Sequence, residues 1–296
     1  MNKTVNPHIA PVRQLLEQAT TLLPSDTARL DAEVLLAHVL GKARSHLHAW
    51  PEKVLSAEQQ ARFRQLLQAR LRGEPVAYLT GQREFWSLPL SVTPATLIPR
   101  PETETLVALA LQVIPPDSPA LVADLGTGSG AIALAIAHER PRCHVLATDI
   151  SPAAIEIAAA NARQLEISNI EFHRGDWCAP LAGRHCDVIV SNPPYIRNGD
   201  PHLRRGDVRF EPHAALAAGP EGMDDLEKIA HCAGRHLNRG GWLIMEHGYD
   251  QREQVTQLLQ ASGFQAVTDH ADDAGLSRVV MGNCRVSQGN PVSCRQ

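Results

Sequence analysis

Leu121-Val122-Ala123-Asp124-Leu125-Gly126-Thr127-Gly128-Ser129-Gly130 decides the architecture of this 296-residue chain. Residues 121–125 are apolar apart from Asp124 and read as a buried strand. Three glycines at alternate positions follow, and Ala131–Ala137 continues as a helix. Glycine lets the backbone turn tightly and approach a ligand with no Cβ in the way. The spacing is Gly-x-Gly-x-Gly, not the dinucleotide pattern Gly-x-Gly-x-x-Gly, which disfavours an NAD enzyme. No Gly-Lys-Ser/Thr is present, which disfavours a phosphate-loop NTPase. For the glycines alone, a purely structural turn is the competing reading.

Downstream, the pattern alternates. Strands are expected at Cys143–Thr148, Ile170–Arg174, Asp187–Ser191, Trp242–Glu246 and Arg278–Met281. Helices are expected at Ala153–Leu165, Leu226–Leu237 and Gln251–Ala261. Strand–helix alternation with apolar strands implies a mostly parallel sheet covered on both faces, an α/β fold. The second strand ends at Asp149, 19 residues after Gly130, where a carboxylate can accept both hydroxyls of a ribose diol. After the third strand, Asp176 can accept from an adenine amino group and Trp177 can stack on the ring. Core packing is the bland reading of Trp177. All of these positions end adjacent strands, where open α/β sheets bind ligands.

A second motif, Asn192-Pro193-Pro194-Tyr195, ends the apolar run Asp187–Ser191. It suits a planar NH2 group, whose lone pair is delocalised and therefore a poor nucleophile. Asn192 offers a side-chain carbonyl and Pro193 a backbone carbonyl to accept both N–H groups. The prolines stiffen the loop, so neither acceptor needs ordering during reaction. Tyr195 supplies an apolar wall. No base is required before attack, because the proton can leave the cationic nitrogen afterwards. The main contribution is positioning for in-line displacement at about 3–3.5 Å. A plain Pro-Pro turn is the bland reading. Together, the two loops point to methyl transfer onto an amide or amino nitrogen.

Residues 8–80 read as helical. Ser25-Asp26 can cap a helix carrying Leu30, Val34, Leu35 and Val39, closed by Gly41. Ser56 and Gln59 make a capping box for a helix with Phe63, Leu66, Leu67 and Leu71 on one stripe. The proline-rich segment that follows is a poor place for a continuous helix. Glu84-Phe85-Trp86 and Leu90-Ser91-Val92 are expected to pair across Ser87-Leu88-Pro89 as a hairpin, before a helix from Glu102 to Val113. The domain reading is therefore a helical bundle at 1–80, a hairpin linker at 81–96, an α/β domain at 97–282 and a loose polar tail at 283–296.

Composition bounds the partners. Residues 1–80 carry a net +3 and residues 81–296 a net −7, which argues against a broad phosphate-binding surface. Cys143, Cys178, Cys186, Cys232, Cys284 and Cys294 form no Cys-x-x-Cys pair, so reduced thiols are expected. The histidines make no metal-binding spacing, so no metal is expected. No basic segment followed by an apolar one opens the sequence, so no signal peptide is expected. No apolar run approaches the roughly 18 residues of a membrane span.

With these motifs in place, the chain resembles the class I S-adenosylmethionine-dependent methyltransferases. Within them it resembles the peptide chain release factor glutamine N5-methyltransferases. The likeness runs from about residue 8 to 282. It includes Pro75–Gly81, Glu84-Phe85, Leu97–Glu104, Asp124–Gly130, Asp149, Gly175–Trp177 and Asn192–Tyr195. Glu211-Pro212, Glu246-His247-Gly248 and Asp273-Ala274-Gly275 with Arg278 also fit. The resemblance implies a helical N-terminal domain, a hairpin linker and a Rossmann-like catalytic domain with a mostly parallel seven-stranded sheet. It implies methylation of the Gly-Gly-Gln glutamine of bacterial release factors 1 and 2 in the cytoplasm by a monomer, with S-adenosyl-L-methionine as donor. Gly126, Thr127, Gly128, Ser129, Gly130, Asp149, Asp176, Trp177 and Asn192 would hold the donor. Asn192, Pro193, Pro194 and Tyr195 would hold the glutamine amide and carry the reaction, with Arg100 and Glu102 near the substrate entrance. Two rival substrates keep the same chemistry: adenine N6 of DNA or RNA, and a glutamine of a ribosomal protein. A base-flipping enzyme must also hold a phosphate backbone, which the acidic α/β half does not favour. A cofactor-sensing module would not need an intact Asn192–Tyr195 loop.

Overall fold

The computed structural model describes residues 10–284, and the expected tail beyond Cys284 lies outside the described residues. The chain divides into two compact units, Met1–Gly81 and Gln82–Gln296.

The regular elements of the first unit, among the described residues, are all helices: α1 (Val12–Leu22), α2 (Ala28–Leu40), α3 (Arg44–Ala49), α4 (Ala57–Leu71) and α5 (Val76–Thr80). The capping box forms, with Ser56 Oγ accepting from Gln59 N and Gln59 Oε1 from Ser56 N, both at 3.1 Å. The expected start and stripe of α2 are corrected. The helix begins after Thr27, and Leu30 is exposed while Ala32, Leu35 and Leu36 are buried. Charge partners turn the helix this way. Asp31 accepts from Arg70 Nε at 2.8 Å, and Glu33 meets Arg29 at 2.7 Å. Phe63, Leu66 and Leu67 of α4 join Leu35 and Leu36 in the core of this unit.

The second unit opens with an antiparallel hairpin, β1 (Gln82–Phe85) and β2 (Leu88–Ser91). Its turn is Trp86-Ser87, both at positive φ, beginning one residue and ending two residues before the expected Ser87–Pro89 turn. The register follows burial: Phe85, Leu88 and Leu90 all enter the core of the larger unit. Trp86 is pinned by Glu104, which accepts its backbone N–H at 2.9 Å, and by Glu139, which accepts its indole N–H at 2.8 Å.

A seven-stranded sheet follows, built from β3 (Leu121–Leu125), β4 (His144–Asp149), β5 (Ile170–Arg174), β6 (Cys186–Ser191), β7 (Leu237–Glu246), β8 (Phe264–Ala271) and β9 (Ser277–Cys284). The order is β5-β4-β3-β6-β7-β9-β8, parallel except for β9, which runs antiparallel to both neighbours. The mostly parallel α/β sheet is thus as expected. The sequence reading missed β8 and stopped β9 at Met281, whereas Asn283 and Cys284 still pair with Gln265 and Phe264. Helices α6 (Glu104–Val113), α7 (Ala131–Glu139), α8 (Pro152–Gln164), α9 (Asp224–Ala233) and α10 (Arg252–Ala261) complete the unit. The expected helix through Leu237 ends at Ala233, because Leu237 already pairs with Cys186 in the sheet.

Strand order reverses between β3 and β6, where Leu125 lies in register with Ser191. Ser191 Oγ donates to Leu125 O at 2.7 Å and ties the two strand ends together. Carboxyl ends at such a reversal leave a crevice for a ligand. Among the cysteines, Cys143 and Cys186 are free and buried, as expected of reduced thiols. Cys178 and Cys232 are instead joined as a disulfide, correcting that expectation for this pair. No described helix is long and apolar enough to cross a membrane.

Candidate active site

The glycine loop lies over the carboxyl end of β3, held by two backbone bonds from Gly126 N and Thr127 N to Thr148 O, at 2.9 and 2.8 Å. Gly126, Gly128 and Gly130 all have positive φ. At Gly126 a Cβ would sit 3.1 Å from the Trp177 ring, so glycine is what lets the indole close on the loop. Gly130 serves packing: a Cβ there would meet Leu134 and Ala158, and the residue does not line the cavity.

That cavity, of about 290 Å³, is lined by Gly126, Thr127, Gly128, Ser129, Asp149, Asp176, Trp177 and Asn192. The structure thus brings together every sequence-predicted donor-binding residue except Gly130. Asp149 is oriented by its surroundings, since its two carboxylate oxygens accept from Gly128 N and Ser151 N, both at 2.9 Å. Each oxygen keeps a further lone pair. Ile150 lines the cavity while 64% exposed, an apolar wall that the sequence reading missed. Its signal was an aliphatic residue directly after the strand-end carboxylate.

Asp124 is fully buried beneath the loop. Its Oδ2 accepts from Thr127 Oγ1 at 2.6 Å, while Oδ1 has no partner. Burial pushes its carboxyl up to about 7, against the Thr127 hydroxyl and the Ala133 amide, and the Asp149 charge adds to the rise. Asp124 does not line the cavity, so it acts from beneath the loop, through Thr127.

A second cavity, of about 530 Å³, adjoins the first and shares Leu97, Arg100, Asn192, Pro194 and Ala215 with it. Pro193, Tyr195 and Glu102 line this one alone. The Asn192–Tyr195 loop therefore forms the wall between the two. Gln251 Nε2 donates to Tyr195 O at 3.1 Å and anchors its far end. Arg100 pairs with Glu211, whose other oxygen accepts from Ile98 N at 3.0 Å. Burial raises the Glu211 carboxyl above the usual range, opposed by the Arg100 charge. Arg100 is thus committed to a buried carboxylate at the junction of the two cavities.

Two side chains, Thr103 and Glu246, stand behind the loop. Asn192 Nδ2 donates to Thr103 Oγ1 at 3.2 Å, and Tyr195 Oη donates to Glu246 Oε1 at 3.1 Å. Burial, and then the Glu246 charge, raise the Tyr195 phenol, which stays neutral at ordinary pH. Thr103 and Glu246 entered the sequence reading only as members of the Leu97–Glu104 and Glu246-His247-Gly248 motifs. Among the described residues no group of His, Cys, Asp and Glu could hold a metal ion.

Comparison with known proteins adds to this geometry. Residues 14–81 match the family model described as PrmC N-terminal domain, and residues 104–206 match that of the methyltransferase small domain. The chain is 50% identical over 266 residues to the release factor glutamine methyltransferase of Aliivibrio fischeri, covering 90% of this chain and 93% of that protein. It is 48% identical over 268 residues to the Escherichia coli K12 protein of the same name, covering 90% and 96%. Among solved structures, a methyltransferase from Pyrococcus furiosus is 20% identical, with a TM-score of 0.52 over 74% of this chain and 98% of that one, a likeness of fold.

Proposed function

The chain belongs to the release factor glutamine methyltransferases, and from that premise we propose that it methylates N5 of the Gly-Gly-Gln glutamine in release factors 1 and 2, with S-adenosyl-L-methionine as donor. Membership supports the release factor glutamine as acceptor. The finer reading rests on one observation: two adjoining cavities meet at Asn192 and Pro194, one under a glycine loop and one behind it.

The residues of the first cavity fit the donor. Asp149 keeps lone pairs for a ribose diol, and Trp177 and Ile150 offer apolar faces. When bound, S-adenosylmethionine supplies an electrophilic methyl group on a sulfonium. Everything else is work for the protein. Asn192 Oδ1 and the Pro193 carbonyl accept the two amide N–H bonds and direct the nitrogen lone pair. Buried Pro193 and Pro194 keep those acceptors rigid and dry, so they need no reorganisation as charge develops. Tyr195, held neutral, walls the amide without competing as a nucleophile. After transfer the nitrogen is cationic and sheds a proton readily. Arg100 and Glu102 line the acceptor cavity, and we assign to them the side from which the release factor loop enters. The helical unit docks the body of the release factor, and the enzyme works as a cytoplasmic monomer.

The test is methyl transfer from labelled donor to purified release factor 1 and release factor 2, beside duplex DNA, ribosomal RNA and free ribosomal proteins. One methyl on the Gly-Gly-Gln glutamine, located by peptide mass spectrometry and lost when that glutamine becomes alanine, is expected. Label on adenine or on a ribosomal protein would overturn the substrate assignment while leaving the reading of the Asn192–Tyr195 loop intact.

A further inference from the structure

Trp177 lines the donor cavity at φ +40, a backbone state that a bulky L-residue does not hold unaided. Its neighbours must keep it there. Its carbonyl accepts a long bond, 3.5 Å, from Thr148 Oγ1. The loop around it is closed on itself by short-range bonds, Ala179 N to Asp176 O and Leu181 N to Cys178 O, both at 2.9 Å. The firmer tether is covalent. The next residue, Cys178, is bonded to Cys232 of α9, 54 residues on, with the two Cα atoms 6.1 Å apart. Helix α9 is itself fixed, because Leu226, Ile229 and Ala233 are buried in the same core cluster as Cys178 and Leu181. The disulfide thus ties a residue of the cofactor wall to an immobile helix.

The two sulfurs differ in access. Cys178 is 4% exposed, whereas Cys232 is half-buried. Both line a third cavity, of about 350 Å³, and Trp177 lines this cavity as well as the donor cavity. A small thiol in the third cavity meets Cys232 first. Cys143 and Cys186 offer no such site. They are buried, and burial raises both thiols, Cys186 to about 12, so they stay protonated and inert. In a reducing compartment such as the cytoplasm assigned above, a disulfide is not a permanent staple; pairs that form there are transient and redox-sensing.

We propose that Cys178–Cys232 is a thiol–disulfide exchange site through which a small-molecule thiol sets the affinity for S-adenosylmethionine. The proposal goes beyond the methyl transfer above and rests on the donor reading of the first cavity. A thiolate attacks Cys232 Sγ and forms a mixed disulfide with it. The bond between Cys232 and Cys178 breaks, and its electron pair leaves on Cys178 Sγ, which takes up a proton. A second thiolate attacks the small molecule's own sulfur and releases Cys232 as a thiol after protonation. Two thiols are oxidised to one small disulfide, and the protein disulfide is reduced to two thiols. A small disulfide runs the sequence backwards. With the bond closed, Trp177 is held at the cavity wall. With it open, Trp177 relaxes from its strained state for part of the time, and affinity falls with the fraction of molecules whose wall is formed.

The experiment uses the full chain, oxidised with glutathione disulfide or reduced with dithiothreitol, well below its melting point. Calorimetry with S-adenosylmethionine should give a Kd about three- to tenfold higher for the reduced protein, the factor by which the formed wall is depopulated. Hydrogen exchange should quicken in residues 175–182 and stay unchanged in β3, which separates a local release from a general loss of stability. Cys232→Ser should bind like the reduced protein and ignore dithiothreitol. The proposal is overturned by equal Kd in the two states, by tighter binding after reduction, by a reductant effect that persists in Cys232→Ser, or by a pair that glutathione disulfide cannot close, read by peptide mapping after alkylation. If Cys232→Ser does not fold, the wild-type comparison with hydrogen exchange decides alone. If neither state binds S-adenosylmethionine, the donor reading falls and the switch with it; if both bind with one Kd, only the switch falls.

Discussion

Gly126→Ala tests whether the glycine loop is shaped by its contact with Trp177. Two penalties are expected. The first is backbone strain, since Gly126 sits at φ +75, and an L-residue there costs about 1–2 kcal/mol. The second is steric. The new Cβ would lie 3.1 Å from Cζ3 and 3.7 Å from Cη2 of the indole. Trp177 is itself at φ +40 and packs against the core cluster on its face of the sheet, so it has little room to withdraw. A further ~1 kcal/mol is expected from that overlap, by analogy with overpacked cores. For a unit of this size the total of about 2–3 kcal/mol corresponds to a melting point lower by roughly 4–12 °C. Gly183→Ala provides the reference. Its φ is +77 but a Cβ there meets nothing within 4 Å, so it carries the strain alone. Thermal melts of both variants and calorimetric titration with S-adenosylmethionine complete the assay. Gly126→Ala should melt below Gly183→Ala and bind the cofactor at least about tenfold more weakly, a difference of about 1.4 kcal/mol. Equal melting points with wild-type affinity in both would refute the contact as the reason for glycine.

Three further outcomes follow from the same geometry. Arg100→Ala leaves Glu211 buried without its partner, and because Arg100 is partly exposed the loss should be about 2 kcal/mol; Arg100→Ala/Glu211→Gln should recover part of that in a thermal melt, and no recovery would argue against the pair. Asp124 has a folded pKa of about 7 against an unfolded value near 4, so its contribution to stability is full below about pH 4 and lost as pH rises through about 7. Between pH 4 and 8, wild type should lose stability relative to Asp124→Asn by an amount on the order of 4 kcal/mol, and parallel stability curves would contradict the buried orphan. Asp149→Ala removes the acceptor that Gly128 N and Ser151 N orient, so calorimetry should show weaker cofactor binding with the fold retained; unchanged affinity would remove Asp149 from the site.

What was legible in the sequence was what local backbone demands. The strand–glycine–helix run had to be where it is, because three positive-φ turns in five residues admit few other residues. The Asn-Pro-Pro-Tyr loop was legible for the opposite reason, its fixed φ and missing donors being rare at the end of a buried strand. Asp149 and Trp177 followed from strand spacing alone. The hairpin turn was misplaced because Pro89 looked like a turn residue, whereas the burial of Phe85, Leu88 and Leu90 placed the turn at Trp86-Ser87. Strand β8 escaped because most of its residues are polar or half exposed and no apolar alternation marks it. The Thr103–Asn192 bond joins positions 89 apart, and Tyr195–Glu246 positions 51 apart, so no window of sequence contains either pair. The Cys178–Cys232 pairing, 54 residues apart, is long-range in the same way.

The described residues hold three buried side-chain polar atoms without a partner, and two of them are carboxylate oxygens: Asp124 Oδ1 beneath the glycine loop and Glu246 Oε2 of a residue that lines the acceptor cavity. Each is expensive for the fold, since an unmet buried acceptor costs about 1–3 kcal/mol and more when charged. In both cases burial drives the carboxyl to about 7, so each has both protonation states within reach near neutrality. Their other oxygens are not left open. Asp124 is held by Thr127 and Glu246 by Tyr195, so each carboxyl is fixed in direction by a hydroxyl that itself belongs to a ligand-facing loop. The two ends of the reaction are thus built alike. A strand at the crevice ends in a buried carboxyl, a hydroxyl aims it, and the loop that the hydroxyl belongs to forms the cavity wall. A carboxamide in place of either carboxyl would relieve the cost of burial and would weaken the direction imposed on that loop. On this reasoning Asp124→Asn and Glu246→Gln, where they fold, should be more stable than wild type at pH 8 and poorer in function, Asp124→Asn in cofactor affinity and Glu246→Gln in turnover. A variant that gained stability there without losing function would show that the orphaned oxygens serve neither ligand.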